Sequence, residues 1–84
     1  MNDKILIEIY FPATYQSYDV YIPEHISFYK ITNMVKKVAD KLTHGMYLPS
    51  DDSVLCDMES GKILDINQTA RELCLHNGSK LMFI

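Results

Sequence analysis

The sequence predicts an α+β fold in which a mixed sheet of four to five strands packs against one main helix. Apolar residues alternate with polar ones in KILIEIYF and again in SYDVYIP, and they then recur at helical spacing after Ser27. A period of two is typical of a strand with one buried face, and a spacing of three to four is typical of an amphipathic helix. We expect residues 1–84 to form a single domain, because a chain of 84 residues supports one hydrophobic core.

Composition and charge narrow the functional classes. The chain is 48% hydrophobic and 23% charged, as folded globular proteins are, and its net charge of -3 disfavours electrostatic binding to nucleic acid. Cys56 and Cys74 are too few for a disulfide framework, so reduced thiols are expected. No stretch approaches the roughly 20 apolar residues of a membrane span, and MNDKILIEIYF lacks the features of a signal peptide. We therefore expect a cytoplasmic protein without direct membrane insertion.

The first two strands are predicted to form an antiparallel hairpin. The buried faces comprise Ile5, Ile7, Ile9 and Phe11 in the first strand and Tyr18, Val20 and Ile22 in the second. Asp19 and Tyr21 point outward, and Pro23 ends the second strand because proline cannot donate to a ladder.

The main helix is predicted over residues 28–43. Its apolar stripe comprises Phe28, Ile31, Val35, Val38 and Leu42. Ser27 is a candidate N-cap, whereas Lys30 occupies the position at which a capping box would place Glu. Gly45 suits a left-handed conformation after the last turn.

The secondary-structure elements predicted in the second half of the chain are shorter. SVLCDM and KILDI are expected to be strands joined by a turn at Gly61. Thr69 and Glu72 have capping-box spacing, which predicts a short helical turn near 69–73. KLMFI follows an Asn-Gly turn as the last strand, and the helical crossover allows it to pair in parallel with KILIEIYF in the middle of the sheet.

This order of elements resembles the ubiquitin-like β-grasp family over nearly all of the chain. Ubiquitin-like modifiers and the related sulfur carriers end in a flexible Gly-Gly tail, whose carboxylate is adenylated. Here the three glycines, Gly45, Gly61 and Gly78, fall at turns, and the last residue is the β-branched Ile84. The resemblance therefore implies a member of the family without covalent conjugation.

Candidate catalytic and metal-binding residues are few. Cys74 and His76 could supply a nucleophile and a base, although a small buried thiol is the more common role of a cysteine. His25, His44 and His76 are scattered singly and lack the paired spacing of a zinc site. We expect no enzymatic activity, no cofactor and no metal.

Four carboxylates cluster around the second predicted hairpin. They are Asp51, Asp52, Asp57 and Glu59. Solvated turns, a weak cation site and a contact for a basic partner are all compatible with them.

The expected functional site is a protein-interaction surface on the sheet face that the helix leaves open. Strand alternation directs Leu6, Tyr10, Tyr21, Met82 and Ile84 to this face. Leu6, Met82 and Ile84 are expected to form one contiguous apolar patch, a feature that often marks an interface. Two alternatives to an interface are that these are ordinary, singly exposed apolar side chains, or that the 44–53 loop covers them.

The solvent side of the predicted helix offers a second surface. Lys30, Lys37 and Lys41 lie there together with Lys36. They are explained either by solvation or by an acidic partner.

Among ubiquitin-like proteins the chain looks like the YukD/EsaB-type small proteins of type VII secretion systems in Gram-positive bacteria. The likeness rests on YDVYIP, the helix beginning near SFYKIT, the loop MYLPSDD and the terminus NGSKLMFI. It implies a cytosolic accessory or regulatory component that binds other secretion components, such as cytosolic parts of a membrane secretion ATPase.

A small carrier protein serving an enzyme pathway is the alternative function. A partner would then act at Ile84, or a thiol would be modified at Cys56 or Cys74. The absence of Gly-Gly from the sequence disfavours this hypothesis.

Overall fold

The computed structural model describes residues 3–84, so Met1 and Asn2 of the expected domain lie outside the described residues. The elements in chain order are β1 (Lys4–Phe11), β2 (Gln16–Pro23), α1 (Phe28–Leu42), β3 (Leu55–Asp57) and β4 (Lys80–Phe83). No helix in residues 3–84 combines the length and the apolar character needed to cross a bilayer.

The strands form one mixed sheet in the order β2-β1-β4-β3. β1 pairs antiparallel with β2 and parallel with β4, and β3 pairs antiparallel with β4. The predicted hairpin and the predicted central parallel pair are therefore confirmed. The connection from β2 to β4 passes through α1, as a parallel pairing requires.

The fifth strand expected at KILDI does not form. Ile63 makes only an isolated bridge to Cys56. Beyond it Asp65 turns the chain, because its carboxylate accepts a hydrogen bond from the Asn67 N–H at 2.9 Å and its carbonyl accepts one from Gln68 at 3.1 Å. These local bonds end the pairing after a single bridge.

The core lies between α1 and the facing side of the sheet. Its fully buried large side chains include Ile7, Ile9, Phe11, Phe28, Ile31, Leu81 and Phe83. The Phe11 ring packs edge to face on Tyr18, Tyr47 and Phe83, with each pair of ring centroids 5.6 Å apart. Tyr47 thereby anchors the 44–53 loop on the helix side of the sheet, which argues against that loop covering the open face.

The buried stripe of α1 differs from the predicted one. Thr32 and Ala39 belong to it, Val38 does not, and Leu42 is only partly buried. Val38 is 42% exposed, whereas Ala39 is fully buried. Adjacent residues are separated by about 100° around a helix, so burying one turns the other aside. The small Ala39 side chain lets the helix lie close to the sheet, and Val38 is left at its margin.

The first turn of α1 is capped by a distant loop. Ser27 is the N-cap residue as predicted, but its side chain makes no capping hydrogen bond. The N–H groups of Phe28 and Tyr29 instead donate to the carbonyls of Gln68 and Ile66, at 2.8 and 2.9 Å. The donors left unpaired at a helix start are therefore satisfied by tertiary contacts.

Two left-handed residues end the helix. His44 has φ 53 and Gly45 has φ 78. The Gly45 N–H donates to the Asp40 carbonyl at 2.8 Å and the His44 N–H to the Lys41 carbonyl at 3.4 Å, the bonding pattern of a Schellman motif. The predicted positive φ at Gly45 is confirmed, although His44 rather than glycine takes the first left-handed position.

The predicted turn near 69–73 is confirmed with its capping box. The Glu72 N–H donates to Thr69 Oγ1 at 3.1 Å, and the Thr69 N–H donates to Glu72 Oε1 at 2.9 Å. A single helical hydrogen bond follows, from the Leu73 N–H to the Thr69 carbonyl at 3.0 Å. Cys74, with φ 60, then turns the chain away.

Candidate functional site

The open face of the sheet carries the side chains that alternation assigned to it. Leu6, Tyr10 and Met82 are partly buried, while Tyr21 is 64% and Ile84 49% exposed. All five remain accessible to solvent on the side of the sheet opposite α1.

The strand register corrects the expected single apolar patch. Leu6 pairs with Tyr21 on β2, whereas Tyr10 pairs with Met82 on β4. Glu8 and Lys80 pair with each other between these two positions. Leu6 and Tyr10 are four residues apart, which at about 3.3 Å per residue separates them by about 13 Å along the strand.

The open face therefore has two apolar ends with a charged middle. One end is the Leu6–Tyr21 pair. The other, called the Met82 patch below, comprises Tyr10, Met82 and Ile84.

Charged side chains cross the middle of this face from strand to strand. Glu8 lies between Asp19 on β2 and Lys80 on β4. Facing like charges are unfavourable, whereas Lys80 places a charge of opposite sign on the other side of Glu8. A partner that spans both apolar ends must therefore also accommodate ionic groups.

The turn before β4 fixes this register. Asn77 Oδ1 accepts a hydrogen bond from the Leu6 N–H at 2.8 Å, and the Gly78 N–H donates to the Leu6 carbonyl at 2.8 Å. Gly78 has φ 93, a conformation that suits glycine. The Asn-Gly pair was predicted as a turn, but its docking on β1 has no local signal in the sequence.

The predicted helix lysines are on the surface. Lys30, Lys37 and Lys41 are exposed, whereas Lys36 lies on the other side of α1 and its Nζ donates to the Asp51 carbonyl at 3.4 Å. The three exposed lysines thus form a separate surface from the open sheet face.

An apolar groove between α1 and β2 was not predicted from the sequence. Its volume is about 220 Å³, and its walls include Val20, Ile22, Met34 and Val38. The signal that could have revealed it is the run of Met34, Val38 and Leu42 at four-residue intervals, which widens the apolar stripe of the helix on one side.

The two cysteines have different surroundings. Cys56 pairs with Met82 but is only 1% exposed, and burial raises the pKa of its thiol. A buried neutral thiol is a poor nucleophile, which disfavours the carrier hypothesis at Cys56. Cys74 is exposed and lines a cleft of about 650 Å³ together with His76.

The His76 ring is bound to the backbone in that cleft. Its Nδ1 lies 2.9 Å from the Asn77 carbonyl oxygen, an acceptor, so this nitrogen carries the proton. The bond fixes the ring against its own turn.

One carboxylate of the predicted cluster, Asp57, is engaged in its own turn. Asp57 Oδ2 accepts hydrogen bonds from Ser60 Oγ at 2.8 Å and from the Ser60 N–H at 3.3 Å. The Ser60 side chain lowers the pKa of Asp57 because it stabilises the ionised carboxylate. Across residues 3–84, no three or more His, Cys, Asp or Glu side chains converge in a group that could hold a metal ion.

Comparison with known proteins gives matches among solved structures. No protein-family model and no curated protein sequence matches the chain. The EccD5 ubiquitin-like domain from Mycobacterium xenopi superposes with a TM-score of 0.84 at 16% identity, covering 99% of this chain and 94% of that one. The ubiquitin-like domain of the Mycobacterium tuberculosis type VII secretion protein EccD1 gives 0.79 at 12% identity, covering 100% and 99%.

A component of a larger assembly matches equally well. A chain of the MycP5-free ESX-5 inner membrane complex superposes with a TM-score of 0.84 at 15% identity over 99% of this chain. This chain spans only 21% of the length of that component. The chain has the ubiquitin-like β-grasp fold, and domains of type VII secretion proteins are among the structures that it resembles.

Proposed function

We propose that this chain is a ubiquitin-like binding module of a type VII secretion system and acts through non-covalent contacts with other secretion components. The observation that carries the proposal is the superposition on ubiquitin-like domains of type VII secretion proteins with TM-scores of 0.84 and 0.79. Together with the sequence features described above, it favours a YukD/EsaB-type accessory or regulatory protein.

The Met82 patch is the proposed contact surface on the open sheet face. Its three side chains are apolar or aromatic and accessible, and two of them are held side by side by the β1–β4 register. Aromatic residues and methionine are enriched in the cores of protein interfaces. The charged pair of Glu8 and Lys80 borders the patch and would orient a partner rather than supply most of the affinity.

The proposed role is binding in the cytoplasm rather than catalysis. Cys74 and His76 are the candidate catalytic pair, and in residues 3–84 the His76 ring hydrogen bonds to the Asn77 carbonyl and not to Cys74. Both cysteines are unpaired thiols, which suits a reducing compartment. A cytosolic part of a membrane secretion ATPase is a suitable partner for such a module.

Affinity purification from the source organism tests this function. Wild-type protein would be compared with a Met82→Lys variant, which places a charge in the Met82 patch. A Met46→Lys variant is the matched control, because Met46 is 74% exposed in the loop after α1. Recovered proteins would be identified by mass spectrometry.

We expect wild type and Met46→Lys to recover components of the secretion machinery and Met82→Lys to lose them. Recovery of an adenylating enzyme instead would support the carrier hypothesis. Equal recovery of secretion components by all three proteins would place the contact elsewhere on the molecule.

A further inference from the structure

The turn before β4 contains the two groups of a spontaneous chemical modification. In an Asn-Gly sequence the glycine nitrogen can attack the side-chain amide of the asparagine, because glycine has no side chain to hinder the approach. Asn77 and Gly78 form the only Asn-Gly pair in the sequence, and both are exposed to solvent. Asn67 is also exposed, but it is followed by the bulkier Gln68. The chemistry of this turn therefore sets Asn77 apart.

Both reacting groups are held by the backbone of Leu6 in β1. The side-chain oxygen of Asn77 accepts a hydrogen bond from the Leu6 N–H, and the Gly78 N–H donates to the Leu6 carbonyl, each at 2.8 Å. The attack requires the Gly78 nitrogen to lose its proton and the Asn77 side chain to turn its Cγ toward that nitrogen. Each requirement breaks one of the two hydrogen bonds, so the docked turn is protected.

Ser79 closes the same turn and joins it to the sheet. Its N–H donates to the His76 carbonyl and its Oγ accepts from the His76 N–H, each at 3.0 Å. Its carbonyl accepts from the Glu8 N–H at 2.9 Å, which is the next hydrogen bond along β1 after those of Leu6. Asn77 is therefore released only when this end of the β1–β4 pairing opens locally.

The His76 ring contacts the peptide group that would react. Its Nδ1–H donates to the carbonyl oxygen of Asn77 at 2.9 Å. This oxygen belongs to the same amide as the Gly78 nitrogen. A donor on it stabilises the negative charge that appears when the nitrogen loses its proton. The two residues are neighbours in the chain, so the contact does not require the turn to be docked on β1.

We propose that Asn77 is a modification site at which the opened turn, assisted by His76, converts itself to aspartate or isoaspartate, and that Leu6 holds the reaction back in the folded protein. The Gly78 nitrogen loses its proton to solvent and bonds to Asn77 Cγ, the Cγ–Nδ2 bond breaks, and ammonia leaves. Water then opens the resulting cyclic imide. Cleavage between the nitrogen and Cγ gives aspartate, and cleavage between the nitrogen and the main-chain carbonyl carbon gives isoaspartate. Neither step uses an oxidant or a reductant.

The two products differ in their effect on the sheet. An aspartate at position 77 keeps the length of the main chain and offers a carboxylate oxygen to the Leu6 N–H. An isoaspartate carries the main chain through Cβ and Cγ and so lengthens the turn by one methylene. The longer turn no longer aligns Gly78 with Leu6 or Ser79 with Glu8, and β4 loses its register on β1.

The loss of register would also change the open sheet face. Tyr10 and Met82 are neighbours only through the β1–β4 pairing, so isoaspartate formation separates them and divides the Met82 patch. The inference itself does not depend on the proposed role in secretion, because every step involves this chain and water alone.

Ageing of the full chain in warm, mildly alkaline buffer tests the proposal. Trypsin releases residues 72–80 as one peptide, since it cleaves after Arg71 and Lys80. Mass spectrometry detects the replacement of the amide by a carboxylate, and labelling with an isoaspartyl methyltransferase distinguishes the two products. A capped synthetic peptide of residues 72–80 is the unfolded reference, an unaged digest corrects for reaction during digestion, and Asn67 is the internal control.

Two serine variants separate opening of this turn from the loss of any turn hydroxyl. Ser79→Ala removes the acceptor for the His76 N–H, whereas Ser60→Ala removes the donor to Asp57 in the turn after β3. His76→Ala in the synthetic peptide removes the donor to the Asn77 carbonyl without any effect on folding. Each rate in the full chain is divided by the rate of the peptide that carries the same substitution or, for Ser60→Ala, by that of the unsubstituted peptide.

The folded chain should lose the Asn77 amide at least about tenfold more slowly than the peptide, because reaction requires local opening. Ser79→Ala should raise the normalised rate about twofold to fivefold, and Ser60→Ala should leave it unchanged. The His76→Ala peptide should react about twofold to fivefold more slowly than the unsubstituted peptide. Asn67 should stay intact over the same period.

Amide hydrogen exchange measured by NMR tests the structural consequence. Asn77→Asp reproduces the aspartyl product and should keep the Leu6 and Glu8 amides protected from exchange. The purified isoaspartyl form should lose protection at both amides, while the amides that bond β1 to β2 remain protected.

Four results would overturn the proposal. Equal rates in the folded chain and the peptide would show that Leu6 does not hold the reaction back, and an intact Asn77 in the aged peptide would show that the reaction does not occur. Equal rates for the Ser79→Ala and Ser60→Ala chains, or an isoaspartyl form with protected Leu6 and Glu8 amides, would contradict the link to the β1–β4 pairing. An unchanged rate in the His76→Ala peptide would contradict the role of that ring.

Discussion

The two halves of the molecule are built in different ways. Residues 3–42 comprise two strands of eight residues and a helix of fifteen, joined by short turns. Residues 43–84 contain strands of three and four residues, and the rest is turns and loops. Regular ladders and an apolar stripe hold the first half, whereas individual side-chain hydrogen bonds hold much of the second.

The loop after α1 illustrates the second kind of construction. Thr43, which is only 3% exposed, donates from Oγ1 to the Ala39 carbonyl at 2.7 Å and accepts from the Tyr47 N–H at 3.1 Å. Ser53 Oγ lies 3.1 Å from the Tyr47 hydroxyl and accepts from the Ser50 N–H at 3.0 Å. Buried hydroxyls therefore direct a segment that has little regular secondary structure.

The largest effect is expected where the two halves meet. Phe11 contacts Tyr18 in the first half and Tyr47 and Phe83 in the second. Phe11→Ala should lower the free energy of unfolding by about 3–5 kcal/mol, because it leaves a cavity among three rings. Urea denaturation followed by circular dichroism measures the change.

Tyr29→Ala is the control for that substitution, since Tyr29 is 58% exposed on α1. Its effect should stay within about 0.5 kcal/mol. A similar loss from both variants would mean that the aromatic cluster does not join the two halves.

The contrast between the halves also explains what the sequence could predict. The hairpin, the helix and the central position of the last strand follow from periodicity and connection rules, and all three are confirmed. Val38 was misplaced because an apolar residue at either position 38 or 39 fits a helical stripe, and only packing against the sheet favours Ala39.

The errors in the predicted candidate site have a related cause. The open-face residues followed from alternation, but the continuity of Leu6 with Met82 depended on the register between β1 and β4. That register is fixed by the Asn77–Leu6 hydrogen bond between residues far apart in the chain. The groove beside β2 likewise arises from two elements together, so neither one alone revealed it.

A smaller effect on stability should distinguish the side-chain cap at Thr69 from the helix start at Ser27, whose N–H groups are satisfied by a distant loop. Thr69→Ala should cost about 1 kcal/mol, because its hydroxyl and Glu72 close a reciprocal capping box. Ser27→Ala should cost less than about 0.5 kcal/mol, because its side chain caps nothing. Thermal or urea unfolding of both variants gives the comparison, and a larger loss at Ser27 than at Thr69 would contradict it.

The smallest effect concerns the pH response of the turn after β3. The Ser60 side chain lowers the pKa of Asp57 in the folded protein. The hydrogen bond between Ser60 and the ionised Asp57 therefore stabilises the fold above the unfolded-state pKa of Asp57, and this stabilisation is lost as the pH falls through the lower folded-state pKa. Ser60→Ala should raise the Asp57 pKa toward its ordinary value. An NMR titration of the Asp57 carboxyl carbon measures this, and an unchanged pKa would mean that Ser60 is not its cause.

The central functional claim is that the Met82 patch contacts a secretion-system protein, and photo-crosslinking in the source organism tests it most directly. A photoreactive phenylalanine would replace Tyr10 on the open face or, as control, the exposed Tyr29 on α1. We expect position 10, and not position 29, to crosslink to a component of the secretion machinery. Crosslinks to an adenylating enzyme, equal crosslinking from both positions, or none from position 10 would contradict the claim.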